Sequence, residues 1–397
     1  MKVYDLAVCG SGPSGVAAAL AAARHGLKVV IIDDDEEIGG APVDCYIQSF
    51  CGHPYTAIHR EIREKMREFN PEVKENVGFR RATYILTIRS LLAEAGVEII
   101  TGRFINRVKV ENKKITAIAA DDFEIKAKMY IDATGNGDIS VLAGCEGRYG
   151  RESYEEYKEA FAPDIADRRV QMCTQMFMLK RCADNDTVPN FARYNKDEFL
   201  IWGPTAECPD TSNPLEVNKT REMLISQMPK LAKEWLEKGF FITDIAPKLG
   251  VRESRRIKGK YTLKYSDVIE RRRFEDSITI ARYLIDPWEP EGNPLHSKKT
   301  AESCRVPYYE IPYRCLISDE CENLLFCGRC ISTTHVVNAS VRVMPICYMT
   351  GQAAGTAAAL TYESGNCHKV DIKALQSDLR NQGMFVTLDD EPQSENQ

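Results

Sequence analysis

The chain opens on an apolar run, Leu6-Ala7-Val8-Cys9, followed at once by Gly10-Ser11-Gly12-Pro13-Ser14-Gly15. A small-residue segment from Val16 to Arg24 comes next and is closed by His25-Gly26. Leu27 to Ile32 repeats the first composition and ends in Asp33. Apolar runs of this length, bounded by turn residues, suit strands covered on both faces. Gly26 suits the left-handed residue that ends a helix. Strand, glycine turn, helix and strand within about thirty residues make a βαβ unit, which commits the chain to an α/β fold around a parallel sheet.

That context gives the Gly10-x-Gly12-x-x-Gly15 spacing its meaning. Gly10 permits the tight turn, Gly12 lets backbone approach a pyrophosphate, and Gly15 lets helix and strand pack closely. The helix N-terminus offers free N–H groups and a positive partial charge to phosphates. Asp33, about twenty residues on at the end of the next strand, can accept hydrogen bonds from an adenosine ribose. The motif alone does not separate NAD from FAD.

Composition narrows the class. Of 397 residues, 44% are hydrophobic and 28% charged, which excludes a disordered or collagen-like chain. The net charge of −6 makes a generic nucleic-acid or membrane-surface binder a poor expectation. The 14 cysteines would suit a secreted disulfide protein only with an export signal, yet the N-terminus runs straight into a strand. A cytoplasmic protein with mostly reduced thiols is therefore expected, without membrane insertion.

Further along, Thr56–Phe69 and Ala82–Ala95 have helical spacing, and Val97–Ile100 reads as a short strand. Residues 104–128 alternate, predicting a β-meander with turns at Asn112-Lys113 and near Asp121-Asp122. Met129–Ala133 is another buried strand, followed by Thr134-Gly135-Asn136-Gly137-Asp138. From residue 151 the texture turns charged, aromatic and proline-broken. Helices are expected at Glu152–Phe161 and Glu216–Lys238, and strands at Val170–Lys180, Lys258–Lys264 and Ser277–Leu284. The last third returns to the first texture, with a strand at Leu324–Cys327, a Gly328-Arg329 turn and a small-residue helix from Met344 to Tyr362. The expected organisation is a Rossmann-like domain in two parts, 1–150 and 304–397, with an inserted α+β substrate domain at 151–303.

The meander, the strand ending in Asp132-Ala133-Thr134-Gly135 and the late Gly328-Arg329 turn depart from a simple dehydrogenase. With them the chain resembles the FAD-dependent oxidoreductases of the glutathione-reductase-like two-dinucleotide-binding superfamily, and within it the bacterial FAD-dependent oxidoreductase family. The resemblance runs over most of the chain. Its further motifs are Asp33 to Gly40, Gly250 to Tyr261, Ile311 to Leu316, Gly328 to His335, Ser340 to Pro345, and Gly351 to Gly355. A departure lies at Val43–Gly52, where Cys45 and Cys51 stand.

The resemblance implies FAD as cofactor. It implies contacts from Gly10, Gly12, Pro13, Ser14, Gly15, Asp33, Asp34, Gly40, Ala41, Arg103, Phe104, Ala133, Thr134, Gly135, Gly328, Arg329, Met344, Gly351 and Ala354. The helix starting near Pro345 would aim its N-terminus at the flavin pyrimidine, where reduction adds negative charge. The same helix could instead use its small residues for core packing.

For catalysis, His335 is the candidate general acid or base, since imidazole titrates near neutrality, with His53 a weaker alternative. Arg252, Arg255 and Arg342 are candidates to hold an anionic substrate by bidentate hydrogen bonds. The plainer reading of Arg252, Arg255, Arg256 and Arg342 is salt bridges with Glu253, Asp267 or Glu270 that fix the inserted domain. Cys327-x-x-Cys330 and the Cys45/Cys51 pair admit redox roles, but a buried thiol at a strand end acts as a small hydrophobe, and no metal is expected.

The resulting expectation is hydride transfer between flavin N5 and a small, polar or anionic organic molecule. The inserted domain would lie over the flavin, and Arg252 or Arg255 would point into the pocket between. The alternatives are a flavin electron-transfer subunit and a nucleic-acid-modifying flavoprotein, the latter drawing on Arg271-Arg272-Arg273 and the Arg252–Lys260 cluster. The electron partner and any homo-oligomer are left open.

Overall fold

The computed structural model describes residues 2–73, 78–121, 123–183, 189, 192–291 and 304–392. The main sheet holds β1 (Lys2–Cys9), β2 (Val29–Ile32), β3 (Glu98–Ile100), β4 (Arg107–Glu111), β5 (Lys114–Ala120) and β6 (Phe123–Asp132), in the order β3-β2-β1-β6-β5-β4. The four strands β3, β2, β1 and β6 run parallel. The meander β4-β5-β6 is antiparallel, and its turn residues Asn112 and Lys113 both take positive φ, as two-residue hairpins favour. The second expected turn includes residue 122, which lies outside the described residues.

Further strands are β7 (Gly147–Arg148), β8 (Cys173–Thr174), β9 (Phe177–Arg181), β10 (Ala192–Arg193), β11 (Glu198–Ile201), β12 (Thr205–Ala206), β13 (Phe240–Ile245), β14 (Arg256–Ile257), β15 (Ser277–Ala281), β16 (Tyr309–Pro312) and β17 (Leu324–Phe326). β17 returns to the main sheet. It pairs in parallel with Tyr130–Asp132 of β6, while Phe123–Ile125 of the same strand pair with β5. One long strand thus serves two neighbours and brings the last third of the chain beside the first.

Alternation decides the layers. Leu6, Val8, Val29, Ile31 and Leu325 face one way, under the helices Pro13–Arg24, Arg81–Glu94 and Met344–Leu360. Ala7, Cys9, Val30, Ile32, Leu324 and Phe326 face the other way, onto the meander side chains Ile115 and Ile118. Both faces are buried, which is why these strands read as continuous apolar runs.

A separate antiparallel sheet, β10-β11-β9-β13, has Phe177, Leu179, Phe199 and Phe240 packed on Met228 and Trp235. Here several sequence expectations change. The helix expected at Glu216–Lys238 is two, Pro214–Ile225 and Met228–Glu237, because Pro229 cannot donate into a continuous helix and starts a new one. The one at Glu152–Phe161 shrinks to Tyr154–Tyr157, ended by Lys158 in the left-handed region. Val170–Lys180 splits into β8 and β9, which join different sheets. Lys258–Lys264 is no strand and contributes a single bridge, Leu263 to Thr333. Among the described residues no helix is long and apolar enough to cross a membrane.

Candidate active site

The carboxyl ends of β1, β2, β6 and β17 carry the glycine turn, Asp33, the Thr134-Gly135 turn and Gly328-Arg329, in that order. Gly10 has φ +100, and a Cβ there would stand 2.4 Å from the Ala133 carbonyl oxygen. A Cβ on Gly15 would stand 1.9 Å from the Gly10 carbonyl oxygen, so both positions are fixed by chain packing. Gly12 differs: its Cβ would meet nothing within 4 Å. The turn therefore keeps open space over Gly12, where a phosphate group can reach the backbone.

The Pro13–Arg24 helix begins at Gly12 and has no side-chain cap and no acidic residue in its first turn. The 17-residue Met344–Leu360 helix begins at Val343 with the same two features. A Cβ on Gly351 would stand 2.1 Å from the Ser14 carbonyl oxygen, and one on Gly355 2.2 Å from that of Ala18. Residues advance together along both helices, so the helices are parallel and their N-termini share one end of the sheet. Two uncapped positive helix ends beside an open glycine turn fit a ligand with a pyrophosphate and a ring that gains negative charge.

The same geometry shows what two of the expected contact residues pack against. Gly351 lies against the Ser14 backbone, and Ala354 is fully buried in the core. Ser14 has its backbone under Gly351 and its hydroxyl close to Gly328.

Asp33 is 8% exposed, with its carboxylate accepting from the Ser11 N–H at 2.5 Å and the Asp35 N–H at 3.0 Å. Burial pushes its pKa up to about 6, partly offset by those hydrogen bonds. Asp34 beside it is exposed. Gly40, at φ +57, sits so close to Gly12 that a Cβ would come 2.9 Å from its Cα, and Ala41 starts the short helix after it. The Arg103 N–H donates to the Asp33 carbonyl, which places Arg103 and the exposed Phe104 beside the acidic residue.

Thr134 is held by Asp132, which the sequence reading missed. Asp132 is fully buried and accepts from the Thr134 N–H and hydroxyl and from the Ser140 N–H and hydroxyl. A polar residue ending an apolar strand, two before a glycine turn, was the available signal. Ala133 bonds the Cys9 carbonyl, tying this turn to the first. Arg329 lies across Gly135, where a Cβ would stand 2.6 Å from its Nη2, and donates to the Val251 carbonyl. Met344 is buried at the head of its helix.

The catalytic candidates separate. His335 is 1% exposed, with Nδ1 2.7 Å from a Glu253 oxygen and Nε2 2.7 Å from Glu289. Burial disfavours its charge, but the two carboxylates outweigh that and push its pKa up to about 10. Arg151 joins Glu289, and Arg256 joins Glu253 and Glu152. Both ring nitrogens are engaged inside this buried network, so neither is free to exchange a proton with a substrate in this arrangement. Arg255 is corrected too: it donates to the Asn136 carbonyl and pairs with Asp138, bracing the Asn136–Asp138 turn. His53 lines a surface groove with Arg60, Arg63 and Tyr308.

Arg252 and Arg342 come together. Arg342 ends the His335–Val341 helix, one residue before Val343, the cap of the long helix. It donates to Gln171 at 3.1 Å and to the Asp286 carboxylate at 3.1 Å. Arg252 donates to the Met172 carbonyl and the Thr174 hydroxyl, each at 2.6 Å, and its guanidinium lies 4.0 Å over the Trp288 ring. Burial, then the nearby Arg342 charge, pull its pKa down to about 9. No carboxylate among the described residues forms an ion pair with Arg252. Gln171, Asp286 and Trp288 had no sequence signal, because they lie in irregular chain.

All 14 cysteines are free. Burial pushes the Cys327 and Cys330 thiols far up, as it does Cys45, whose Sγ contacts the Leu249 carbonyl. The Arg271-Arg272-Arg273 run is neutralised by Glu391, Asp267 and Asp389.

A βαβ glycine turn, an acidic residue closing the second strand, and a late strand returning with a second uncapped helix define a dinucleotide-binding flavoprotein of the glutathione-reductase-like type. The chain belongs to the FAD dependent oxidoreductase family, whose model matches residues 5–223 and 215–379. FAD is its cofactor. The chain is 28% identical over 152 residues to a thiamine thiazole synthase of Pyrococcus abyssi, covering 34% of this chain and 58% of that one. It is 32% identical over 146 residues to a thioredoxin reductase of Peptoclostridium acidaminophilum, covering 37% and 38%. The chain thus spans between about two fifths and three fifths of these relatives' lengths. A geranylgeranyl bacteriochlorophyll reductase-like structure from Thermoplasma acidophilum aligns over 97% of this chain and 85% of that one, at 13% identity and a TM-score of 0.45.

Proposed function

We propose that the protein transfers a hydride between flavin and a small organic substrate whose anionic group is held by Arg252 and Arg342. Bound FAD supplies the two-electron chemistry. The chain's own residues bind, orient and exclude water. The observation that carries the substrate class is charge balance: among the described residues Arg342 pairs with the Asp286 carboxylate, while Arg252 has no carboxylate ion pair. Arg252 is held by neutral acceptors and an aromatic face, and burial, then the Arg342 charge, pull its pKa down, so a nearby anion would favour its charged form. A substrate carboxylate or phosphate would supply that charge with charge-assisted hydrogen bonds.

Trp288 and Asp286 hold the two arginines at fixed angles, and Gln171 ties Arg342 to Glu253 in the buried network. The neighbouring Tyr283 and Cys51 are both pushed up by burial, so neither supplies a base near neutrality. The nucleic-acid alternative loses its support with the paired arginine run, and no observation favours an electron-transfer subunit.

The test is anaerobic flavin reduction with matched anionic and neutral donors. Loss of one charged hydrogen bond is worth about 1.5–3 kcal/mol, so Arg252→Leu and Arg342→Leu should each raise KM for the anionic donor by roughly 10–100-fold with FAD occupancy unchanged. Wild-type reduction of anionic donors by both variants would overturn the assignment.

A further inference from the structure

The helix Ala57–Phe69 turns Ile58, His59, Ile62 and Met66 into the core. Arg60, Arg63 and Arg67 recur on it at three- and four-residue spacing, which sets them in one row. The row lines a groove of about 210 Å³ together with Tyr55 and Tyr308. Glu64 is the one acid among the groove's described lining residues. The neighbouring Glu61 pairs with Arg24, and Lys65 pairs with Glu68 and Glu94. Arg282 borders the groove. Its guanidinium lies 4.5 Å from the centre of the Tyr308 ring, and its backbone exchanges two hydrogen bonds with that of His53.

These arginines are held in a way that leaves their charge in place. Arg63 lies 4.4 Å from the centre of the Tyr55 ring, and the Arg60 guanidinium donates to the Tyr55 carbonyl at 3.1 Å. An aromatic face or a carbonyl fixes a guanidinium without cancelling its charge, whereas a carboxylate cancels it. Among the described residues Arg60, Arg67 and Arg282 form no ion pair. The Arg271-Arg272-Arg273 run, by contrast, is paired at every member. A row of guanidiniums with a single acid beside it matches a ligand that carries two or more negative charges and several acceptor oxygens.

We propose that this groove binds a diphosphate group, carried by a nucleotide or free as inorganic pyrophosphate. The guanidinium row decides the charge, since a monocarboxylate would leave most of the row unmatched. The volume decides the size. It lies below the roughly 300–1,000 Å³ of pockets that enclose a drug-sized ligand, so the charged group enters and the rest of a larger ligand stays outside. The site shares no residue with the glycine turn or with Arg252 and Arg342, but it adjoins the long helix. His53, in the groove lining, follows Gly52, where a Cβ would stand 2.8 Å from Val343, the cap of that helix.

The test is titration calorimetry of the FAD-loaded full chain at low ionic strength, with inorganic pyrophosphate, ADP and adenosine as probes. Pyrophosphate and ADP should bind, adenosine should not, and both affinities should fall as salt is raised. Tighter binding of ADP than of pyrophosphate assigns the site to a nucleotide; no gain from the nucleoside assigns it to the free diphosphate. The double variant Arg60→Gln, Arg67→Gln changes two exposed positions. It should weaken pyrophosphate binding roughly tenfold while the flavin absorbance stays that of the wild type. Arg252→Leu should leave pyrophosphate binding unchanged, so the outcome does not depend on the substrate assigned to Arg252 and Arg342. The proposal is overturned if the double variant binds pyrophosphate as the wild type does, or if adenosine binds as tightly as ADP. It is overturned equally if Arg252→Leu alone weakens the binding, or if the wild type binds neither pyrophosphate nor ADP at millimolar concentration.

Discussion

A Cβ on Gly15 would stand 1.9 Å from a carbonyl oxygen of its own turn, while one on Gly12 would meet no atom within 4 Å. Gly12 has φ −64 and ψ −179, an extended conformation that a β-branched residue adopts readily. Gly12→Val should therefore leave the FAD-free fold within about 0.5 kcal/mol of wild type, as for a substitution that touches nothing. Its side chain fills the space over the turn, so the protein should purify folded and colourless. Full yellow occupancy in that variant would remove this turn from the cofactor site. The spacing of the three glycines was legible from local sequence, since each acts within a few residues. The role of His335 was not. Its two carboxylate partners stand 82 and 46 residues away, so nothing near it in sequence marks the ring as enclosed.

At the scale of elements, the same limit separates what local pattern conveys from what it does not. The parallel strands and the meander show in the alternation of residues because each strand's faces are set by its own side chains. The return of β17 to β6 is a pairing across the whole chain and leaves only a short apolar run. Gly351 and Gly355 recur at four-residue spacing, which suits a helix pressed against another helix as well as one serving a ligand. The structure gives them to the Ser14 and Ala18 backbones. Gly355→Leu should force the two parallel helices apart and cost at least the 1–3 kcal/mol, roughly, of an overpacked core. Thermal unfolding of FAD-free protein should show the loss, in contrast to Gly12→Val. An unchanged midpoint there would mean the helices are not in close contact.

Across the whole molecule, His335 fastens regions far apart in sequence. Its ring bonds Glu253 and Glu289, its backbone N–H bonds Glu152, and Arg151 and Arg256 complete the set. Breaking such a buried pair from one side strands a charge and costs about 3–5 kcal/mol. The folded-state pKa of His335, about 10, lies above its ordinary 6.5. A raised pKa means the folded protein keeps a proton that the unfolded chain gives up. The contribution of His335 is therefore fully present below about pH 6.5, declines as pH rises, and is lost through about pH 10. Burial alone would shift the group the other way, so the Glu253 and Glu289 charges decide the sign. His335→Gln keeps two hydrogen-bonding ends but no charge. The difference in unfolding free energy between wild type and His335→Gln should be largest near pH 6 and shrink steadily toward pH 10, other titrations being common to both proteins. A difference that stays constant over that range would mean that His335 is neutral in the folded protein, and the network would then need another cation to balance Glu152, Glu253 and Glu289.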